Sequence, residues 1–331
     1  MGIRLPNSGP LAAADSILFS AKLAEKLNYD SVWVHDHIVW GTEQHSGHLS
    51  SGSAEALSPS QQPNFYESLT TISTIAGCTE RVKLGVAVVV LPLRNPVVFA
   101  KQTSIIDVLS GGRLIVGVAP GAPKITEKEF EAIGVDYHKR GKITDDYIRA
   151  VKKLWTEPLA TYEGRFVSFR DVQMFPKPLQ KPHPPILIAG GERGLSEIAI
   201  KRAAELGSGW IPAYLTKTEL EQGRKQLERK MKEVGRGGEK LMVGLEMFTG
   251  IDQSDDAAEK AYSATLMKNF DSVEEGTKRS LVGSSRTIAK RLEAYERVGL
   301  DFVELKFMYS TIQQFHELMT KFAEDILPSF K

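Results

Sequence analysis

His35-Asp36-His37 is the one place where titratable side chains cluster at what reads as the end of a β-strand, Ser31 to Asp36. Residues two apart on a strand point to one face, so the two imidazoles would converge. Such a pair suits proton exchange near neutral pH, where imidazole titrates, or two ligands of a metal ion. The metal reading needs more ligands, and only His45 and His48 in the polar stretch that follows offer them. Its bland alternative is a polar strand end with one His bonded to a neighbour. Cys78, the only cysteine, falls in a helical pattern from Thr70 with no local group to lower its pKa, and no G-x-S-x-G elbow is present. A second place for chemistry is Gly190-Gly191-Glu192-Arg193-Gly194, between the apolar run Ile186 to Ala189 and the helical Leu195 to Ala199. Strand, glycine turn and helix start present backbone N–H groups that suit a phosphate, and Arg193 would add charge; paired glycines also serve turns for steric reasons alone. Ser110-Gly111-Gly112-Arg113 precedes a strand instead and reads as a helix stop.

What positions these groups is an alternation of β-branched runs with amphipathic segments along the whole chain. The strands are expected at Ile3 to Ser8, Ser31 to Asp36, Val82 to Leu91, Arg113 to Ala119, Pro185 to Ala189, Gly209 to Ala213, Leu241 to Ile251 and Phe302 to Phe307. Between them, apolar residues recur three and four apart, as in Ile17-Ala21-Ala24-Leu27, Ile143-Tyr147-Val151-Leu154 and Ile288-Leu292-Tyr295. Eight β-α units predict an α/β fold, a (β/α)8 TIM barrel with insertions at the C-terminal face, where such barrels carry their active sites. A doubly wound sheet is disfavoured, since no G-x-G-x-x-G follows the first strand. Residues 1–331 read as a single domain with excursions at about 41–64 and 252–283. The first is rich in Ser, Gly, Gln and His and reads as a lid. Tyr162 to Phe169 reads as a small hairpin leading into Pro-rich linkers, and Lys217 to Lys240 as a solvated helical face.

Composition narrows the partners. The 331 residues are 42% hydrophobic and 25% charged, with a net charge of +1, so no strong field draws nucleic acid or anionic lipid. One cysteine excludes an intrachain disulfide. The opening Met1-Gly2-Ile3-Arg4-Leu5-Pro6-Asn7 lacks the apolar core of a signal peptide, and no stretch approaches the roughly 18 apolar residues that span a bilayer. The expectation is a soluble cytoplasmic protein acting on a small molecule.

Taken in order, several stretches resemble the luciferase-like flavin and coenzyme F420-dependent oxidoreductases. They are Tyr29 to Val34 with Asp36-His37; Thr79 to Gly85 through Leu91-Pro92-Leu93-Arg94-Asn95-Pro96; Ala100-Lys101-Gln102; Leu109 to Arg113; Glu129 to Val135; Leu154-Trp155-Thr156; Pro176 to Ile186; and Gly207 to Trp210. The middle segments are closest to the F420-dependent branch. The resemblance implies a (β/α) barrel, a cofactor ring at the strand ends, a homodimer, and a non-prolyl cis peptide at Ala87–Val88 against the ring. It makes His37 and Asp36 the catalytic pair and assigns Asn7, Ala87, Val88, Gly190, Gly191, Arg193 and Trp40 to cofactor binding. No metal is implied. F420-dependent hydride transfer to or from a small organic substrate is the favoured activity. The alternatives are an FMN-dependent monooxygenase acting with O2 and a non-catalytic flavin-binding protein. Two departures stand out. The family's sugar-phosphate dehydrogenases carry an acid after the strand-four glycine, where this chain has Ala122-Pro123 after Gly121, and Trp40 falls one residue earlier than their ring-side aromatic.

Overall fold

The computed structural model describes residues 1–39, 64–122 and 126–330, so Trp40 and nearly all of the first excursion lie outside the described residues. Eight parallel strands form the barrel: β1 (Gly2–Arg4), β2 (Ser31–Val34), β3 (Lys83–Val90), β4 (Leu114–Ala119), β5 (Ile186–Glu192), β6 (Gly209–Ala213), β7 (Met242–Asp252) and β8 (Phe302–Phe307). Each pairs with the next in sequence and β8 pairs with β1, closing the ring. Helices follow the strands and cover the outside with the expected faces: Ile17, Ala21 and Ala24 are buried, as are Val151 with Leu154 and Leu292 with Tyr295. Among the described residues, no helix is long and apolar enough to cross a membrane.

β6 and β8 run as the pattern predicts, whereas β1 and β2 stop early for a common reason. The Asn7 amide pairs with the backbone of His35, Oδ1 accepting from its N–H at 3.2 Å and Nδ2 donating to its carbonyl at 2.9 Å. A side chain thus takes the place of a strand neighbour, and the chain after Val34 is released from the ladder. Ser8–Gly9 instead pairs antiparallel with Asn64–Phe65. The 162–169 hairpin is present, as Ala160–Glu163 against Ser168–Val172. The stretch 252–283 is not an irregular excursion. It forms the helices Asp255–Asn269 and Val273–Lys278 and a strand, Leu281–Ser284, that pairs with the far end of β7. The helix read through Cys78 ends at Ala76, and it exposes Thr70, Ser73 and Thr74 while burying Leu69, Ile72 and Ile75. Its large apolar side chains are thus all buried against the barrel. Exposed apolar side chains stand instead on the next helix, at Val98 and Leu109, and on the adjoining Phe175 and Leu179.

The lower end of the barrel is plugged by two aromatic side chains. Trp33 and Phe302 stack with centroids 5.3 Å apart and planes within 4°. Rings of that size fit because facing positions lack side chains. A Cβ on Gly85 would lie 2.1 Å from the Trp33 ring, and one on Gly244 would lie 2.2 Å from Phe302. Overpacking a rigid interior costs about 1–3 kcal/mol. Gly85→Ala should therefore lower stability in urea unfolding by about that amount, and adding Trp33→Leu should recover part of the loss. Wild-type stability in the single variant would show that the plug is loosely packed.

Candidate active site

Above the aromatic plug the barrel interior carries charge instead of the usual branched aliphatic layer. Alternation along the strands turns Arg4 of β1, Glu246 of β7, and Glu304 and Lys306 of β8 inward. The Arg4 side chain donates from Nε to Glu304 Oε1 at 2.7 Å and from Nη2 to Glu246 Oε2 at 2.6 Å and to the Ala87 carbonyl at 3.2 Å. Tyr214, just beyond β6, donates its hydroxyl to Glu246 Oε1, and Lys306 Nζ donates to that hydroxyl at 3.1 Å. Lys306 also lies 4.4 Å above the centre of the Phe248 ring. The two carboxyl groups differ in character. Burial works against charge on Glu246, but Arg4 and Lys306 hold its carboxyl below the usual range. Glu304, fully buried with Oε2 unpartnered among the described residues, is pushed up to about 7 by burial. Burial also pushes Lys306 down to about 8.

The three residues of the His-Asp-His run turn to three different partners. His35 Nδ1 lies 3.3 Å from Arg4 Nη1 and its Nε2 lies 2.5 Å from Ser8 Oγ. A guanidinium can only donate, so Nδ1 accepts and the proton sits on Nε2. The Asp36 carboxylate is 2% exposed and accepts from both Arg94 Nη atoms at 2.5 and 2.6 Å, from Ser68 Oγ at 2.7 Å and from the Val90 N–H at 3.1 Å. His37 Nδ1 lies 2.8 Å from Oε2 of the fully buried Glu129, whose Oε1 accepts the Ile38 N–H at 2.7 Å. The carboxylate partner places the proton on Nδ1, so proton exchange falls to Nε2. Among the described residues no group of three His, Cys, Asp or Glu is arranged to hold a metal ion.

A cavity of about 570 Å³ opens at the C-terminal ends of β3 to β7, within the range of small-molecule and cofactor pockets. Its apolar wall includes Ala87, Val88, Ala189, Ile211 and Pro212, and the Ala87–Val88 peptide is cis, where the resemblance put it. At one end stand Gly190, Gly191 and Ser196, the last capping the helix Glu197–Leu206, with Arg140 and Arg202 beside them. Gly190 and Gly191 have φ of 138° and 95°, and a Cβ on Gly190 would lie 2.5 Å from that of Ala199. Only glycine gives the backbone this approach. Arg202 is tied to Asp145, whereas among the described residues the Arg140 side chain makes one hydrogen bond, to the Tyr137 carbonyl at 3.2 Å, and lies over the Tyr137 ring. A flat, largely apolar ring with an anionic tail fits this surface: small residues along the wall, a glycine cradle at a helix start, and a cation at the end. A larger hollow of about 830 Å³, at the opposite end of the barrel, is lined by Asp30, Lys83, Lys240 and Asp301 and has no such division.

Of the residues expected at the site, Ala87, Val88, Gly190 and Gly191 meet on the cavity wall. Asn7 is committed to the His35 backbone and Asp36 to Arg94. Arg193 donates to the Asn269 carbonyl at 2.9 Å and does not line the cavity. His37 does not line the cavity either; it is joined through Glu129 to the segment of Phe130, which packs under Gly121 on the cavity wall. Sequence reasoning missed Glu129, Arg140 and the interior charges. The last had a visible signal: Glu304 and Lys306 sit two apart in a strand otherwise made of Phe, Val and Leu, so both must face inward.

Fold and cavity together describe a parallel barrel with a pocket at the C-terminal ends of its strands, where enzymes of this architecture hold their ligands. The model of the luciferase-like monooxygenase family matches residues 3–280, and the chain belongs to that family. It is an oxidoreductase that works with a flavin-type cofactor. The chain is similar to the FMNH2-dependent dimethylsulfone monooxygenase of Pseudomonas putida, 26% identical over 80% of this chain and 78% of that one. It is also similar to the oxygenase component of the flavin-dependent trigonelline monooxygenase of Acinetobacter baylyi, 25% identical over 89% and 85%. Among solved structures, an F420-dependent secondary alcohol dehydrogenase in complex with an F420–acetone adduct superposes with a TM-score of 0.79 at 17% identity, covering 100% of this chain and 98% of that one.

The interior layer makes a prediction about stability. The carboxyl of Glu304 titrates near 7 in the fold, above the ordinary 4.5, so its contribution to stability is full below about pH 4.5 and is lost as pH rises through 7. Glu304→Gln mimics the protonated form. Between pH 4.5 and 7.5 the wild type should lose more stability than the variant in urea titrations, so that the gap between their midpoints shifts in the variant's favour. Parallel pH dependences would mean that Glu304 is ionised throughout.

Proposed function

We propose that this enzyme moves a hydride between coenzyme F420 and a small organic substrate, with the cofactor ring along Ala87 and Val88 and its phosphate at Gly190 and Gly191. The observation that carries the reading is the cavity itself, which brings the small apolar residues Ala87, Val88 and Ala189 together with Gly190, Gly191, the helix start at Ser196 and Arg140. When bound, the deazaflavin accepts or supplies the hydride, and the protein supplies position, a dry wall and proton exchange. Ala87 and Val88 let backbone approach the ring face. The Gly190–Gly191 backbone, the helix start at Ser196 and Arg140 hold the tail. Asp36 acts as a positioning residue, fixing the loop after β2 through Arg94. His37, oriented by Glu129, exchanges a proton with the substrate's oxygen through Nε2.

A second reading, FMN-dependent monooxygenation with O2, is favoured by the two sequence relatives that act as flavin-dependent monooxygenases. Its demand on the protein is different: the wall must exclude water from an oxygen-reactive centre. Titration with F420 and with FMN, followed by fluorescence quenching, separates the two. Tight binding of F420 alone supports hydride transfer, and tight binding of FMN alone replaces it with the second reading.

Two substitutions test the roles. Gly191 has φ of 95°, and a Cβ there would meet the Gly194 carbonyl at 2.9 Å, so Gly191→Val should weaken cofactor affinity more than tenfold, about 1.4 kcal/mol. Unchanged affinity would place the phosphate elsewhere. His37→Asn retains hydrogen bonding but cannot carry the proton, and turnover should fall by about 10²–10⁴ with cofactor affinity nearly unchanged. Full activity in the folded, loaded variant would leave His37 with a structural role only.

A further inference from the structure

We infer that Lys306, Tyr214 and Glu246 form a proton relay that delivers a proton stored on Lys306 in the barrel interior to the cofactor cavity. The inference rests on the redox reading of that cavity. Of the two carboxylates on its wall, Glu192 stands at the exposed rim, while Glu246 is shielded from bulk water and needs a path for any proton it supplies.

The ends of the chain set its direction. Lys306 Nζ is an ammonium and can only donate, so the Tyr214 oxygen must accept from it at 3.1 Å. An ionised Glu246 can only accept, so the Tyr214 hydrogen must point to Glu246 Oε1. Every hydrogen therefore lies ready to move toward the cavity. In one passage a Lys306 N–H bond breaks as a Tyr214 O–H bond forms, and the original Tyr214 O–H breaks as a Glu246 O–H forms. The proton on Glu246 would then be available to a basic atom that a bound cofactor or substrate presents on this wall. Glu246 ends as a carboxylate and Lys306 as a neutral amine, which regains its proton back along the same three groups from water in the emptied cavity, since Lys306 is no more exposed than Glu246.

The surroundings hold the three groups in line. Tyr214 stacks on Phe248 with centroids 4.8 Å apart and planes within 9°, and Lys306 lies over the other ring of that pair. Arg4 fixes Glu246 Oε2 and leaves Oε1 to Tyr214. Among the described residues Lys306 makes no hydrogen bond other than that to Tyr214. The charged groups acting on it are Glu246 from β7, Arg4 from β1, Glu304 from its own strand and Glu192 from β5. Burial in this setting brings its ammonium to about 8, where it releases a proton readily and regains it at neutral pH.

The test compares wild type with Tyr214→Phe, which keeps the stacked ring, and Lys306→Met, which keeps the stem. Urea unfolding and cofactor titration establish that fold and cofactor site persist, and Tyr214→Phe serves alone if Lys306→Met fails to fold. Wild-type turnover should decline above about pH 8 as Lys306 loses its proton. Both variants should fall at least about tenfold at pH 7 and lose that alkaline limb. Independently of activity, protein labelled with [13Cε]lysine should show an amine titrating near pH 8 that is absent from Lys306→Met and moves lower in Glu246→Gln, where the neighbouring anion is gone. An alkaline limb unchanged in both variants, or no titration below about pH 9 that Lys306→Met removes, overturns the relay alone, Lys152 being a second lysine that burial pushes down to about 8. A wild type that turns over with neither F420 nor FMN overturns the redox reading and the relay with it.

Discussion

The Arg4 guanidinium stands inside a closed barrel, at 7% exposure, where its charge cannot be shed and water cannot surround it. Each of its N–H groups must find an acceptor, and the acceptors come from four other strands or their ends: Glu304, Glu246, the Ala87 carbonyl and His35 Nδ1. One side chain therefore sets the spacing of β8, β7, β3 and the end of β2 around β1. Buried ion pairs seldom add net stability, because desolvation offsets attraction, yet removing one partner costs about 3–5 kcal/mol. The layer is thus better understood as fixing position than as strengthening the fold, and what it positions includes Ala87, on the cavity wall.

A second set of charges does the same work at the rim. β2 stops at Val34, so the segment carrying His35, Asp36 and His37 has no ladder to hold it. Its backbone is held by the Asn7 amide, its carboxylate by Arg94, and His37 by Glu129. Arg94 also binds Glu67, which caps the helix Ser68–Ala76, so the rim segment is tied to the start of the following helix. The result is three adjacent side chains committed in three directions, an arrangement that a strand running to Asp36 would have forbidden by sending His35 and His37 to one face.

Much of the architecture was legible because it rests on local signals. Period two in Phe302 to Phe307 and period near 3.6 in Ile288-Leu292-Tyr295 each require a particular face to be buried, and eight such alternations have few ways to close. The cavity's glycine end was legible for a similar reason, since Gly190-Gly191 between strand and helix is a local motif. The strand ends at Arg4 and Val34 were not, because a side chain from another segment ends the pairing there. Nor was Glu129, which lies 92 residues from His37, within a stretch whose period marks only an amphipathic helix. The interior charges Glu246, Glu304 and Lys306 are less legible for a different reason: they lie within their strands, not at the ends where barrel active sites gather.

The absence of an acid after Gly121 takes on a different meaning beside these findings. A carboxylate at position 122 would have stood on the cavity wall at the end of β4. Here Glu129 lies behind His37, and of the two carboxylates on the cavity wall Glu192 is exposed while Glu246 is buried and paired with Arg4. When Glu304 holds its proton, the two positive charges of Arg4 and Lys306 face the single negative charge of Glu246. A layer with that balance favours anionic over cationic species in the low-dielectric space above it. Leaving position 122 without an acid and setting Arg4 and Lys306 against the buried Glu246 therefore shifts the cavity toward negatively charged ring systems and oxygens.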